Sequence, residues 1–167
     1  MSAYKKELSQ SERYGLDMEK IIFECVCPSV EDTENAGKQL ADIMLSNKEL
    51  PRFVAMYGGL GAGKTAFVRG FCSLCCQDAK VKSPSFALVN EYRGNVDVFH
   101  FDVWRITDED DLYSVGYYDY FDRNGIIICE WAENIVESLP EEYIKVAIEG
   151  NGNDERTLKV TLQIYGD

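Results

Sequence analysis

The stretch Gly58-Gly59-Leu60-Gly61-Ala62-Gly63-Lys64-Thr65 fits the pattern G-x-x-x-x-G-K-[ST] at every position. Each residue type has a mechanical task in that pattern. Glycines adopt backbone angles that side chains forbid, so successive N–H groups can turn inward around a phosphate. Lys64 would set its ammonium on the β- and γ-phosphates of a nucleotide, and Thr65 would give its hydroxyl to Mg2+. A helix starting near Gly63 would add the positive end of its dipole.

Phosphate chemistry on such a loop needs a carboxylate to hold the metal and usually a group that positions the attacking water. Two apolar runs end in an acid, Val98-Phe99-His100-Phe101-Asp102 and Ile126-Ile127-Ile128-Cys129-Glu130. Open α/β sheets bind ligands at the C-terminal ends of their strands, which is where both acids would stand. Spacing does not divide the roles between Asp102 and Glu130, and each taken singly also reads as a surface acid at a strand end. The cluster Asp108–Asp111 reads as the acidic first turn of a helix, not as a metal site. His100 is the only histidine. A histidine-based triad or zinc site is therefore not expected, and a packing or hydrogen-bonding role near a hairpin is. Trp131, next to Glu130, reads equally as a core residue or as an aromatic wall for a nucleotide or partner.

These residues need a frame to hold them. Arg52–Tyr57 is a continuous apolar run, as expected of a parallel strand buried on both faces, and it leads straight into the glycines. After the loop, Phe67, Phe71, Leu74 and Cys75 repeat at helical spacing. Upstream, Ile21–Cys27 reads as a strand with Cys25 and Cys27 on one face. Ser29-x-x-Asp32 then caps a helix whose apolar face is Ala36, Leu40, Ile43 and Met44. Alternation on either side of Arg93-Gly94-Asn95 predicts a hairpin, and Thr107 is the expected N-cap of the acidic helix that follows. Beyond Pro140, "YIKVAIEG" and "TLKVTLQIY" predict two more strands. Strand, loop and helix followed by further strands imply an α/β domain with a mixed sheet.

Length and composition set the bounds. A chain of 167 residues with 46% hydrophobic residues suits one globular domain with a core. Residues 1–20 read as a polar N-terminal extension with no secretory signal, and residues 21–167 as the domain. No run approaches the ~18 apolar residues of a membrane span, so no membrane partner is expected. The net charge of −12 disfavours tight, unaided binding to nucleic acid, although Lys80 and Lys82 form a local basic pair. Cys72-x-x-Cys75 extends an apolar helical stripe, and the six cysteines read as core or half-buried thiols, reduced as in a cytoplasm.

Four segments in order, "YGGLGAGKTAFVRGF", "VKSPSFALVNEY", "FHFDVWRITDEDDLYSVGYYDYF" and "IIICEWAENI", resemble the TsaE (YjeE) family. Those are the small P-loop ATPases of bacterial threonylcarbamoyladenosine (t6A) formation in tRNA. The resemblance runs from about Ser29 to the C-terminus and implies a three-layer P-loop NTPase-type domain with a mixed central sheet. It implies ATP and Mg2+ as cofactors. The implied partners are the threonylcarbamoyltransferase catalytic subunit and its inactive paralogue, with tRNA reached only through that complex. In the family the ATPase does not transfer the group itself, and its nucleotide cycle supports repeated turnover by the transferase.

Carried onto this sequence, the resemblance gives Lys64 and Thr65 phosphate and metal, Glu130 the metal-side acid and Asp102 the second acid of hydrolysis. Gly58 to Ala66 would wrap the nucleotide, Ser29–Thr33 would approach the adenine, and Arg156 would reach the nucleotide from the late turn. Ser83-Pro84-Ser85 matches a switch-like loop, and Trp131 the tryptophan after the acid. The chain departs at Gly59, where the family usually has Asp or Glu. It departs again at Ala66 (usually a hydroxyl residue), Trp104 (usually Tyr) and Ser85 (usually Thr).

Two other functions share the loop. A small-molecule kinase needs an acceptor pocket and usually an arginine-bearing lid, and the seven arginines of this chain form no cluster. A nucleotide-switched adaptor would bind without turnover, and the presence of Thr65, Asp102 and Glu130 argues mildly against it.

Overall fold

A computed structural model describes residues 17–59, 61–84 and 88–165. Among them the chain runs β1 (Asp17–Cys27), α1 (Val30–Ser46), β2 (Phe53–Tyr57), α2 (Lys64–Cys75), β3 (Val89–Tyr92) and β4 (Val98–Asp102). It continues through α3 (Glu109–Ser114), β5 (Ile126–Glu130), β6 (Glu142–Gly150) and β7 (Arg156–Tyr165), with 3-10 turns at Tyr117–Asp122 and Ala132–Ser138. The strands form one seven-stranded sheet in the order β1-β7-β6-β2-β5-β4-β3. β2 pairs in parallel with β5 and β6, and β4 in parallel with β5. The outer pairings β1–β7, β6–β7 and β3–β4 are antiparallel, so the sheet is mixed as expected.

Period-two alternation divides the strands between two cores. Val54, Met56, Val98, Ile126 and Ile128 face α1 and α2, where they meet Leu40, Met44, Phe67 and Phe71. Phe53, Ala55, Phe99, Phe101, Ile127 and Cys129 face the opposite way, onto Ile106, Leu112, Tyr117 and Ile135. The central strands are buried along both faces, which explains their unbroken apolar runs.

Helices α1 and α2 are brought together by two glycines. A Cβ on Gly37 would lie 2.0 Å from the Phe67 carbonyl oxygen, and one on Gly70 would lie 1.8 Å from that of Glu34. Both obstacles are backbone, so the helices would have to separate. Gly70→Ala is expected to destabilise the fold by about 1–3 kcal/mol or more through this overpacking. The corresponding fall in Tm, roughly 2–4 °C per kcal/mol at this chain length, is read by thermal melting.

Three local expectations shift. The first strand starts at Asp17, not Ile21, and residues 17–20 pair with β7 from Leu162 to Tyr165. Charged residues hid this part of the pattern: β1 is an edge strand whose Glu19 and Glu24 reach Lys159 of β7 at 3.5 and 3.8 Å. The acidic helix is capped by Asp108, not Thr107. The Asp108 side chain accepts from the Asp111 N–H at 2.9 Å, while the Asp111 carboxylate accepts from the Thr107 N–H and hydroxyl, each at 3.0 Å. Asp108 is thus the N-cap, and the Asp111 carboxylate holds the residue before it. At α1, Ser29 accepts from the Asp32 N–H at 3.2 Å as the cap pattern predicts, but its hydroxyl donates to the Asp32 carboxylate at 2.7 Å.

Residues 1–16 of the extension expected over 1–20, Leu60 of the loop and Ser85 of the switch-like segment lie outside the described residues. All six cysteines are free thiols, five of them buried, and burial pushes Cys75 up to about 11. No helix among the described residues is long and apolar enough to cross a membrane.

Candidate nucleotide site

The glycine loop leaves the C-terminal end of β2 and closes onto the first turn of α2. Gly63 is the N-cap of α2 at φ 102, and Gly61 stands at φ 72. Both lie in the left-handed region, where a Cβ is disfavoured, so these two glycines are dictated by the turn. Lys64 is the first residue of α2 and only 6% exposed. Its ammonium donates back into the loop, to the carbonyl of Gly58 and at 3.1 Å to that of Gly59. It also stands 3.8 Å from the centroid of the Trp131 ring, a cation–π contact. Burial lowers the Lys64 pKa, while the carboxylates of Glu130, Glu133 and Asp102 pull the other way.

The two acids meet through strand pairing. Asp102 and Glu130 are register partners in the parallel ladder of β4 and β5, each the last residue of its strand, and they are 5% and 3% exposed. Their faces of β4 and β5 are shared with Val98 and Ile128, on the α2 side of the sheet. Asp102 accepts from the Trp104 N–H at 2.9 Å and from the Ser83 hydroxyl at 3.3 Å. Glu130 accepts from His100 Nε2 at 2.6 Å. Trp131 turns out of β5 at φ 61, an unusual conformation for a tryptophan, and its ring lies 4.3 Å from that of Trp104. Trp131 meets both readings in part: it is partly buried against the core of Phe101, Ile127 and Cys129, and its ring also meets Trp104 and the Lys64 ammonium.

Arg156 begins β7, and its guanidinium grips the loop from outside. Nε donates to the Ala62 carbonyl at 3.0 Å and Nη2 to the Gly61 carbonyl at 2.9 Å. Nη1 donates to the carbonyls of Asn153 and Glu155, each at 3.1 Å, so the guanidinium ties the glycine loop to the β6–β7 turn. Thr33 of α1, 2% exposed, borders Gly63: a Cβ on that glycine would come within 3.4 Å of the Thr33 methyl. This places Thr33, the last residue of the Ser29–Thr33 segment, beside the loop. Arg69 points away, into an ion pair with Glu34 at 2.8 Å.

These donors suit Mg2+ and a nucleotide. The oxygens of Thr65, Asp102 and Glu130 are hard ligands, and Mg2+ takes one or two carboxylates while keeping water and phosphate oxygens. Among the described residues no group of three or more His, Cys, Asp or Glu could hold a metal ion, so a metal here would need ligands from the phosphates. The Lys64 ammonium already lies on the loop carbonyls, and α2 starts at the end of the loop, where the positive end of a helix dipole favours an anion.

A glycine loop between a buried parallel strand and a helix, with acids at the ends of neighbouring strands, defines the protein as a P-loop nucleotide-binding domain. The relatives narrow the class. The family model described as threonylcarbamoyl adenosine biosynthesis protein TsaE matches residues 27–158. A protein of Bacillus subtilis named tRNA threonylcarbamoyladenosine biosynthesis protein TsaE is 38% identical over 109 residues, 65% of this chain and 68% of its own. The protein of that name from Haemophilus influenzae is 37% identical over 130 residues, 76% of this chain and 81% of its own. A crystal structure of YdiB from Bacillus subtilis superposes with a TM-score of 0.62 at 26% identity, covering 90% of this chain and 88% of that one. The chain belongs to the TsaE family.

Proposed function

We propose that this protein is a Mg2+-dependent ATPase that supports threonylcarbamoyl modification of adenosine in tRNA, acting in the cytoplasm with the threonylcarbamoyltransferase catalytic subunit and its inactive paralogue. The observation that carries the chemical part is the pairing of Asp102 with Glu130 at the ends of β4 and β5, beside a complete phosphate loop. The biological part is supported by family membership and by the names of the relatives.

When bound, Mg2+ would neutralise charge on the β- and γ-phosphates, and Thr65 and Glu130 would hold it. The Lys64 ammonium would exchange its loop carbonyls for phosphate oxygens, a charge-assisted pairing. Gly58 to Ala66 would supply backbone N–H groups, Leu60 included. Asp102 would orient the attacking water and receive its proton. Ser29–Thr33, beside Gly63, would border the adenine. Arg156 would approach the nucleotide by way of the loop it already grips.

Among the described residues, the basic groups that the structure places on the loop are Lys64 and Arg156, and both are engaged with loop carbonyls. With Lys64 assigned to the bound phosphates and Arg156 to the loop, a further transition-state cation is expected from a partner. Lys80 and Lys82 are exposed beside Ser83 and are available to meet one. Such a cation accelerates P-loop hydrolysis by about 10³-fold or more. The isolated protein is expected to release phosphate slowly, and a marked rise is expected with the purified transferase pair and tRNA, alongside t6A formation scored on digested tRNA. Equal phosphate release with and without the pair would remove partner-coupled turnover.

A further inference from the structure

His100 lies on β4 two residues before Asp102, on the same face, and is wholly buried. Its ring joins two elements that are otherwise separate. Nε2 stands 2.6 Å from a Glu130 carboxylate oxygen, and Nδ1 stands 3.3 Å from the Tyr92 hydroxyl. Because a carboxylate only accepts, Nε2 carries the proton toward Glu130, and in the tautomer protonated at Nε2 the Nδ1 atom is an acceptor facing Tyr92. The Tyr92 hydroxyl lies 3.1 Å from the Lys82 carbonyl and accepts from the Lys82 N–H at 3.3 Å. Tyr92 is itself 7% exposed. It has one proton for two acceptors, the His100 ring and the Lys82 carbonyl. The segment from Lys82 is tied to the second acid as well, through the Ser83 hydroxyl on Asp102 at 3.3 Å.

We propose that His100 and Tyr92 are positioning residues, forming a buried relay that orients the Glu130 carboxylate and couples its occupancy to the Lys82–Pro84 segment. This rests on Glu130 as the metal-side acid. When Glu130 turns toward a cation, its hydrogen bond from His100 changes, the ring shifts against the Tyr92 hydroxyl, and the hold of that hydroxyl on the Lys82 backbone changes with it. Lys80 and Lys82, exposed beside this segment, would thereby report the state of the nucleotide site to whatever docks there.

The relay can be cut at either end. An Asn amide overlies the Nδ1 side of an imidazole and a Gln amide the Nε2 side. His100→Gln therefore keeps a donor for Glu130 and loses Tyr92, while His100→Asn does the reverse. Tyr92→Phe removes only the hydroxyl. With each variant confirmed as folded by thermal melting, hydrogen exchange of peptides covering residues 80–84 is measured with ATP alone and with Mg2+ plus ATP. The wild-type protein is expected to change protection there on Mg2+ addition, and Tyr92→Phe and His100→Gln are expected to abolish the change. His100→Asn is expected to weaken Mg2+ affinity at saturating ATP by roughly 10–100-fold, the usual effect of removing a group that supports a metal ligand. Mg2+-insensitive exchange in the wild type, wild-type behaviour of Tyr92→Phe, or intact Mg2+ affinity in His100→Asn would each overturn the relay. Glu130→Gln, run in parallel, separates the two readings. If it loses Mg2+ affinity while His100→Asn does not, only the relay falls, and if it keeps Mg2+ affinity the assignment of Glu130 falls and the relay with it.

Discussion

Lys64→Ala is expected to abolish useful ATP binding. The ammonium is held inside the loop by the carbonyls of Gly58 and Gly59, against the ring of Trp131 and near three carboxylates. Without it, the phosphates would meet the carboxylates of Glu130, Glu133 and Asp102 with no ammonium among them, and Arg156 stands on the carbonyls of Gly61 and Ala62. Hydrogen bonds to charged groups contribute ~1.5–3 kcal/mol each, so losing two weakens binding by about 10²- to 10⁴-fold. Lys64→Met retains most of the buried stem and separates charge from packing, and the same loss in both variants assigns the effect to the ammonium. Titration calorimetry with ATP is the measurement. The cation–π contact supplies a second readout, since emission from Trp131 should differ between wild type and Lys64→Met before any nucleotide is added. Unchanged ATP affinity in either variant would sink the P-loop assignment.

The loop was legible in the sequence because its physics is local. Left-handed backbone at Gly61 and Gly63, a lysine at the start of a helix and an apolar strand before it are all fixed within about fifteen residues. The acids were half legible. Each could be seen ending an apolar run, but their adjacency comes from the parallel pairing of β4 with β5, which are joined by a long crossover through α3 and one 3-10 turn. Strand pairing at that separation leaves no mark in spacing. His100 was harder still: its place in a strand was visible, but its bond to Glu130 exists only once that ladder forms. One signal was available, since a histidine two residues before a strand-end acid must share its face. Arg156 was legible as a residue of the late turn, but its bonds to the carbonyls of Gly61 and Ala62 come from how the β6–β7 hairpin is placed beside the loop.

The paired acids carry the sharpest division of roles. Glu130→Gln and Asp102→Asn should both fold, because an amide can meet every partner the structure shows. In Asp102→Asn the amide oxygen can accept from the Trp104 N–H, and the NH2 can donate to the Ser83 hydroxyl. In Glu130→Gln the amide oxygen can accept from His100 Nε2. Melting temperatures should therefore stay close to wild type while hydrolysis falls by about 10²- to 10⁴-fold, the range for removing a positioned acid–base group. The variants should separate on Mg2+. If Glu130 holds the metal, its amide loses the Mg2+-dependence of nucleotide affinity. Asp102→Asn should keep most of that dependence and lose turnover, because a water-orienting carboxylate matters in the transition state more than in the bound state. Binding titrations with and without Mg2+, set beside phosphate release for each variant, give the ranking. The reverse order would mean that the two neighbours have exchanged roles, with Asp102 on the metal and Glu130, steadied by His100, facing the water.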